Sequence, residues 1–152
     1  MSVPLRGVEK ICMSGNVFLD TNVLVYANDS AEPQKQRTAR SLIKEALHLG
    51  NGVISIQVLS EFWVTVTQKI QVPLSFSIAR RETELFGMMI IVNLDFSLFY
   101  DAVRLQQLYQ ISYWDAQIVA AAESAGCAVL YSEDLNAGQK YSSVQVVNPF
   151  LQ

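Results

Sequence analysis

The pattern that most constrains the fold is an alternation of short apolar runs with longer stretches of helical periodicity. Apolar runs predict strands at 17–20, 53–54, 89–92, 128–131 and 144–147. Apolar spacing and cap residues predict helical segments at about 21–28, 30–49, 56–70, 75–86, 95–109 and 112–126. Apolar strands that alternate with helices are typical of α/β proteins with a buried, mainly parallel sheet, and we predict such a fold.

The 152 residues form one domain by this interpretation. Residues 1–15 show no clear period and are predicted to be a poorly ordered tail, so the domain itself covers 16–150. No apolar run approaches the roughly 18 residues of a membrane span. The first residues also lack the continuous apolar centre of a secretory signal, so a cytoplasmic protein is expected.

The composition excludes several classes of site. Cys12 and Cys127 do not form a Cys-x-x-Cys pair, which makes a thiolate zinc site or a disulfide framework improbable. The single histidine, His48, lies at a predicted helix end and argues against Ser-His-Asp chemistry. A net charge of −3 is not the broad basic surface of a duplex-binding protein. The 51% hydrophobic content favours a self-association face, and a homodimer is expected.

Four acidic residues stand where predicted elements begin or end. Asp20 closes the first strand, Glu61 lies early in the helix after the second strand, Asp115 opens the alanine-rich helix, and Asp134 follows the fourth strand. Each has an ordinary explanation when it is taken alone, as a helix cap, a turn residue or a solvated charge. Because sites in open sheets form beyond the carboxyl ends of the strands, the four are also candidates for one cluster.

A cluster of carboxylates without a local cation repels itself, and a divalent cation removes that repulsion. Oxygen ligands without cysteine or a usable histidine indicate Mg²⁺ or Mn²⁺ and not zinc. Such an ion can activate water and stabilise charge on a phosphoryl group. The acids and the absence of a suitable histidine therefore predict metal-dependent chemistry.

The segments that carry these acids resemble the PIN-domain family, in its branch of VapC-like toxin ribonucleases. They are FLDTN at 18–22, the stretch 55–62 around Glu61, YWDA at 113–116, YSEDL at 131–135 and VVNPF at 146–150. The resemblance covers about residues 16–150. It implies a three-layer α/β/α sandwich with a central, mainly parallel sheet. It also implies an endoribonuclease that is the toxin of a type II toxin–antitoxin pair.

On this resemblance, Asp20, Glu61, Asp115 and Asp134 fall on the family's acidic positions. Asp20 and Asp115 are expected to hold the principal Mg²⁺ or Mn²⁺, while Glu61 and Asp134 hold or orient a second ion or its waters. The expected partners are an RNA substrate and a cognate antitoxin whose basic side chain enters the acid cluster.

Two neighbours of the cluster and two basic groups complete the predicted site. Ser132 stands where many family members carry threonine, and Glu133 is a possible extra acid. Arg37, Arg40 and Lys44 lie on one helix face and are expected to bind the substrate, although ordinary solvated helix charge is the alternative. The pair Arg80-Arg81 is a second basic point, for which solvated helix charge is an equally good explanation.

Other functions are compatible with the same residues. A phosphatase that uses Asp20 as a nucleophile would need a second aspartate soon after it, but Thr21 and Asn22 stand there. A silent PIN scaffold that binds RNA or protein should have lost one of the four acids. A housekeeping RNA-processing nuclease would use the same acids, so it stays open beside the toxin.

Overall fold

The computed structural model describes residues 15–151, which form one six-stranded sheet flanked by six helices. The strands are β1 (Asn16–Leu19), β2 (Gly52–Ser55), β3 (Ile90–Val92), β4 (Cys127–Tyr131), β5 (Lys140–Tyr141) and β6 (Val144–Val147). The helices are α1 (Thr21–Tyr26), α2 (Pro33–Leu49), α3 (Ile56–Gln68), α4 (Phe76–Phe86), α5 (Phe96–Tyr109) and α6 (Tyr113–Ser124). The mixed α/β fold with a central, mainly parallel sheet is thereby confirmed.

The strands are arranged in the order β3-β2-β1-β4-β6-β5. β1 pairs in parallel with both β2 and β4, and β5 with β6 is the antiparallel pair of the sheet. The chain thus runs outward from β1 to β3 and then returns to fill the other side of β1 with β4. This change of direction between β1 and β4 is a topological switch point, where the loops at the carboxyl ends separate and leave room for a site.

The core lies on the central strands and the helices that cover them. Phe18, Ile54 and Leu130 on three adjacent strands are fully buried. The alanine-rich segment 116–122 of α6 is buried throughout and packs against α5, β2 and β4. Gly52 lets β2 approach α2, because a Cβ there would lie 2.9 Å from the Ala46 Cβ.

Four of the helices begin with a side-chain cap, because the first N–H groups of a helix have no acceptor within the helix itself. The hydroxyls of Ser55, Ser75 and Ser112 and the carboxylate of Asp95 each accept a backbone N–H three residues later. The starts predicted at Ser75, Asp95 and Ser112 are confirmed.

Two details of the predicted secondary structure were wrong. The second helix was predicted to start after Asp29 and Ser30, but α2 begins at Pro33. The Asp29 carboxylate instead accepts the N–H of Ala31 at 3.0 Å and closes a turn, and proline is favoured at the first helical position. The two-residue strand β5 was also missed.

The predicted tail falls almost wholly on residues 1–14, outside the described residues, as does Cys12. Cys127 is buried and has a free thiol whose pKa burial raises to about 12. Among the helices between residues 15 and 151, none is long and apolar enough to cross a membrane.

Candidate active site

The four predicted acids lie at the carboxyl edge of the sheet, around the switch point. Asp20 directly follows β1 and begins α1, while Glu61 lies on α3, which directly follows β2. Asp134 lies in the loop after β4, and Asp115 lies in the first turn of α6. Burial is the largest cause that raises the pKa of both Asp20 and Asp115, and the charges of Asp134 and Glu61 raise both further. The fold therefore places Asp134 and Glu61 within electrostatic reach of both Asp20 and Asp115.

Asp20 is the most deeply buried of the four, with 6% of its surface exposed. One carboxylate oxygen accepts the Ser132 hydroxyl at 2.7 Å, and the other accepts the Thr21 N–H at 2.7 Å. Burial raises the pKa of Asp20 to about 6, because desolvation and the nearby negative charges outweigh these two hydrogen bonds. Asp20 is thus held rigidly, in a place where a positive charge would be favourable.

Asp115 is half-buried, and its N–H donates to the Ser112 hydroxyl at 3.1 Å. The helix-capping interpretation of this pair is therefore correct for the backbone of Asp115. Burial raises the pKa of its carboxyl group, the Ser112 hydroxyl lowers it, and the charges of Asp134 and Glu61 raise it further. The cap and the acid cluster are compatible, because Ser112 interacts with both the N–H and the carboxyl group of Asp115 while that carboxyl group still senses the charges of Asp134 and Glu61.

Glu61 is exposed, and neutral donors from two other positions fix its orientation. Thr21 Oγ1 donates to one carboxylate oxygen at 2.7 Å, and Gln57 Nε2 donates to the other at 2.9 Å. Gln57 in turn accepts from Gln117 Nε2 at 2.7 Å, and Gln117 accepts from the Tyr113 hydroxyl at 2.7 Å. A directed series of hydrogen bonds thus runs from α6 to Glu61, with each donor pointing toward the carboxylate.

Ser132 connects Asp20 to the loop that carries Asp134. The buried Ser132 hydroxyl donates to Asp20 and accepts the N–H groups of Asp134 and Leu135 at 3.1 and 3.3 Å. Asn22 Nδ2 also donates to the Asp134 carboxylate at 3.2 Å. One hydroxyl therefore sets the position of two of the four acids.

Glu133, the possible extra acid, is engaged elsewhere. It forms an ion pair with Lys35 at 2.8 Å, and Lys35 also donates to the Tyr26 hydroxyl at 3.2 Å. The ammonium group lies 4.6 Å from the centre of the Tyr26 ring. These contacts raise the pKa of Lys35, with the hydrogen bond to Glu133 as the largest cause. Glu133 thus ties the Asp134 loop to α2 and does not join the cluster.

Two of the basic residues that were predicted to bind the substrate are engaged in other contacts. Arg40 Nε donates to the Ala27 carbonyl at 2.8 Å and so satisfies the end of α1. Arg80 forms an exposed ion pair with Glu84 at 3.4 Å. A different cation, Lys69, lines a cleft of about 590 Å³ between α1 and α3, which also contains Glu61 and Asp134.

The donors at this edge are hard oxygen atoms of the kind that Mg²⁺ and Mn²⁺ prefer. Within residues 15–151, however, no three acidic, histidine or cysteine side chains stand close enough together to bind one ion as they are placed. Glu61 and Asp134 are exposed and are held only by neutral donors. The set therefore fits a divalent cation in chemistry and location, and a shared ion requires side chains to move from their present positions.

The hydrogen-bonding residues Gln57 and Gln117 were missed by sequence reasoning. They are 60 residues apart on different helices, and neither lies in a sequence motif that predicts a hydrogen bond between them. A signal did exist for Thr21, which immediately follows Asp20, and Ser132 was identified from the sequence.

Comparison with known proteins agrees with the fold. A chain from a toxin–antitoxin complex of Klebsiella pneumoniae superposes with a TM-score of 0.65 and 21% identity, covering 89% of this chain and 98% of that one. Mycobacterium tuberculosis VapC20, named as a toxin that cleaves the sarcin–ricin loop, superposes with a TM-score of 0.56 and 16% identity, covering 78% and 90%. No curated protein gives a significant match. The sequence matches the PIN domain over residues 17–141, and the chain therefore belongs to the PIN-domain family.

Proposed function

We propose that the protein is a metal-dependent endoribonuclease and the toxin of a type II toxin–antitoxin pair. The observation that carries the proposal is the set of four acids at the switch point, of which Asp20 and Asp115 have raised pKa values because of burial and of the charges of Asp134 and Glu61. Membership of the PIN-domain family supports nuclease chemistry at this edge. The two structural neighbours, both toxin proteins or complexes, support the toxin role.

The proposed roles follow from how each acid is held. Asp20 and Asp115 hold the principal Mg²⁺ or Mn²⁺, since both are at least partly desolvated and gain most from a positive charge. Glu61 and Asp134, being exposed, rotate to hold or orient a second ion or its waters. A divalent cation in this place supplies an activated water and neutralises charge on the phosphoryl group. The protein then needs no histidine, and cleavage leaves a 5′ phosphate.

The proposed partners are a cognate antitoxin and a second copy of the chain. A basic antitoxin side chain that reaches the four acids would relieve the repulsion among them. Several large apolar side chains are exposed, which supports a homodimer: Phe76, Met88, Phe96 and Leu108. Such a toxin would act on RNA in the cytoplasm. Light scattering at micromolar concentration should show the dimer, and a monomer at every concentration would contradict it.

The experiment that tests the nuclease is cleavage of single-stranded RNA with Mg²⁺ or Mn²⁺ and with EDTA. Asp115→Asn should lower the rate at least about a hundredfold, because it removes a charge that positions the metal. The matched control is Asp101→Asn, which removes an exposed carboxylate from α5. Undiminished cleavage in EDTA, or products with 2′,3′-cyclic phosphate ends, would contradict the mechanism.

The toxin role needs a separate test in cells. Expression of the unmodified chain should arrest growth, and expression of Asp115→Asn should not. A protein encoded beside this chain should restore growth and bind it. Cleavage in the test tube without growth arrest would instead favour the housekeeping nuclease.

A further inference from the structure

A second cavity, which we name the Trp114 pocket, opens on the other side of Glu61. Its volume is about 470 Å³, and it is lined by Ile56, Gln57, Ser60, Glu61, Leu94, Trp114 and Gln117. Trp114 directly precedes Asp115 on α6, yet 63% of its surface is exposed. The pocket therefore adjoins the acid cluster, because Glu61 lines it and Trp114 is the chain neighbour of Asp115.

Trp114 is held in place by a ring contact and by a hydrogen bond to its backbone. Tyr113 meets it edge to face with ring centres 5.2 Å apart, and the Tyr113 hydroxyl donates to Gln117. The Trp114 carbonyl accepts from Gln57 Nε2 at 3.3 Å, which ties the start of α6 to α3. An aromatic ring that is anchored in this way and still largely exposed is a preformed stacking surface.

The chemistry of the lining selects among possible occupants. None of the described lining residues is a lysine or an arginine, so the pocket does not suit a phosphate group. An aromatic ring, the apolar side chains of Ile56 and Leu94 and two amide groups suit a nucleobase, which has an apolar face and a polar edge. An apolar side chain from a second copy of the chain would instead cover Glu61 and the amides without pairing them.

We infer that the Trp114 pocket binds one base of the RNA strand, next to the phosphodiester bond that the acids cleave. The inference rests on the proposed function for the identity of the strand. Because a base in a duplex has no free face, the nucleotide at this position must be unpaired. Stacking is tolerant of base identity, so this pocket selects for single-stranded structure more than for sequence.

The test measures binding with EDTA present, separately from cleavage. The probes are octaadenylate and an octamer of the same backbone in which every base is missing. In the Trp63→Phe background, which leaves Trp114 as the one tryptophan, octaadenylate should quench the fluorescence and the abasic octamer should not. A gel confirms that the probes stay intact.

Variants of the unmodified chain then measure the size of the effect. Trp114→Leu should weaken octaadenylate binding about tenfold or more, and Trp114→Phe should restore most of the affinity. The matched control is Phe76→Leu, which removes a ring that is 69% exposed and lines neither cavity beside Glu61. Its binding should be unchanged.

Three results would overturn the inference. The first is that both probes bind equally well, and the second is that Trp114→Leu binds octaadenylate as tightly as the wild type does. The third is that Trp114→Leu converts a dimer to a monomer, which would show that the ring belongs to a subunit interface. Cleavage distinguishes the two proposals. Normal RNA cleavage without Trp114 quenching refutes the pocket alone, whereas quenching by octaadenylate without any cleavage refutes the nuclease and supports the pocket.

Discussion

Asp20→Asn should remove a pH dependence of folding that the buried carboxyl group causes. The pKa of Asp20 is raised from 3.8 to about 6 in the folded protein. Between these two values the folded state binds more protons than the unfolded state, so the unfolding free energy falls as pH rises. The contribution is fully present below pH 3.8 and is lost as pH rises through about 6.

The magnitude follows from the difference between the two pKa values, at 1.36 kcal/mol for each unit. The full difference is about 3 kcal/mol, of which about 2 kcal/mol is lost between pH 4 and pH 7 in the wild-type protein because of Asp20. The asparagine variant carries no charge at this position at either pH. It does meet a constant cost, because its amide nitrogen cannot accept the hydrogen bond that one carboxylate oxygen accepts from Ser132 or from the N–H of Thr21.

The assay is urea denaturation of both proteins in EDTA at several pH values between 4 and 7. The constant cost cancels when the difference between the two unfolding free energies is compared across pH. That difference should shift in favour of Asp20→Asn by about 2 kcal/mol from pH 4 to pH 7. Asp101→Asn on α5 controls for the change in net charge. A difference that is constant with pH, or that shifts in favour of the wild type, would refute the reasoning.

Three further substitutions test the framework around the acids. Ser132→Ala should lower the unfolding free energy by about 1 to 3 kcal/mol and raise the pKa of Asp20 further, because all three hydrogen bonds of its hydroxyl are lost; urea titration with Ser132→Thr as control checks this. Lys35→Met should cost up to about 1 kcal/mol at low salt and less at high salt, since it leaves Glu133 without its counter-charge; a cost independent of salt would contradict the ion pair. Gly52→Ala should cost about 1 to 3 kcal/mol, because its Cβ would lie 2.9 Å from a side chain of α2; an unchanged melting temperature would contradict the close packing.

The fold was predictable because burial controls its main elements. A strand buried on both faces, such as 52–55, must be apolar, and helix starts need acceptors such as Ser75 and Asp95. β5 was not predictable, because Lys140–Tyr141 is too short for a periodicity. It is defined by its pairing with β6, which no local pattern encodes.

The acids of the candidate site were predictable from the sequence, but most of the residues that hydrogen-bond to them were not. Asp20 and Asp134 stand at strand ends, where chain order alone brings them to one edge. The partners of Glu61 come from other elements, and amides such as Gln117 have many alternative roles in a helix. Their contribution depends on distances that only the packing of α6 against β2 determines.

The placement of β4 beside β1 has a consequence for the timing of synthesis. The N–H of Asp20 donates to the carbonyl of Tyr131, and Asp20 meets Ser132, a residue 112 positions later in the chain. A nascent chain that has not yet reached these residues has three of the acids and no edge on which to assemble them. Pairing over such a distance is also slow relative to local contacts. The ribosome must therefore have synthesised the chain through Asp134 before the four acids can assemble, and a product truncated before β4 lacks this site.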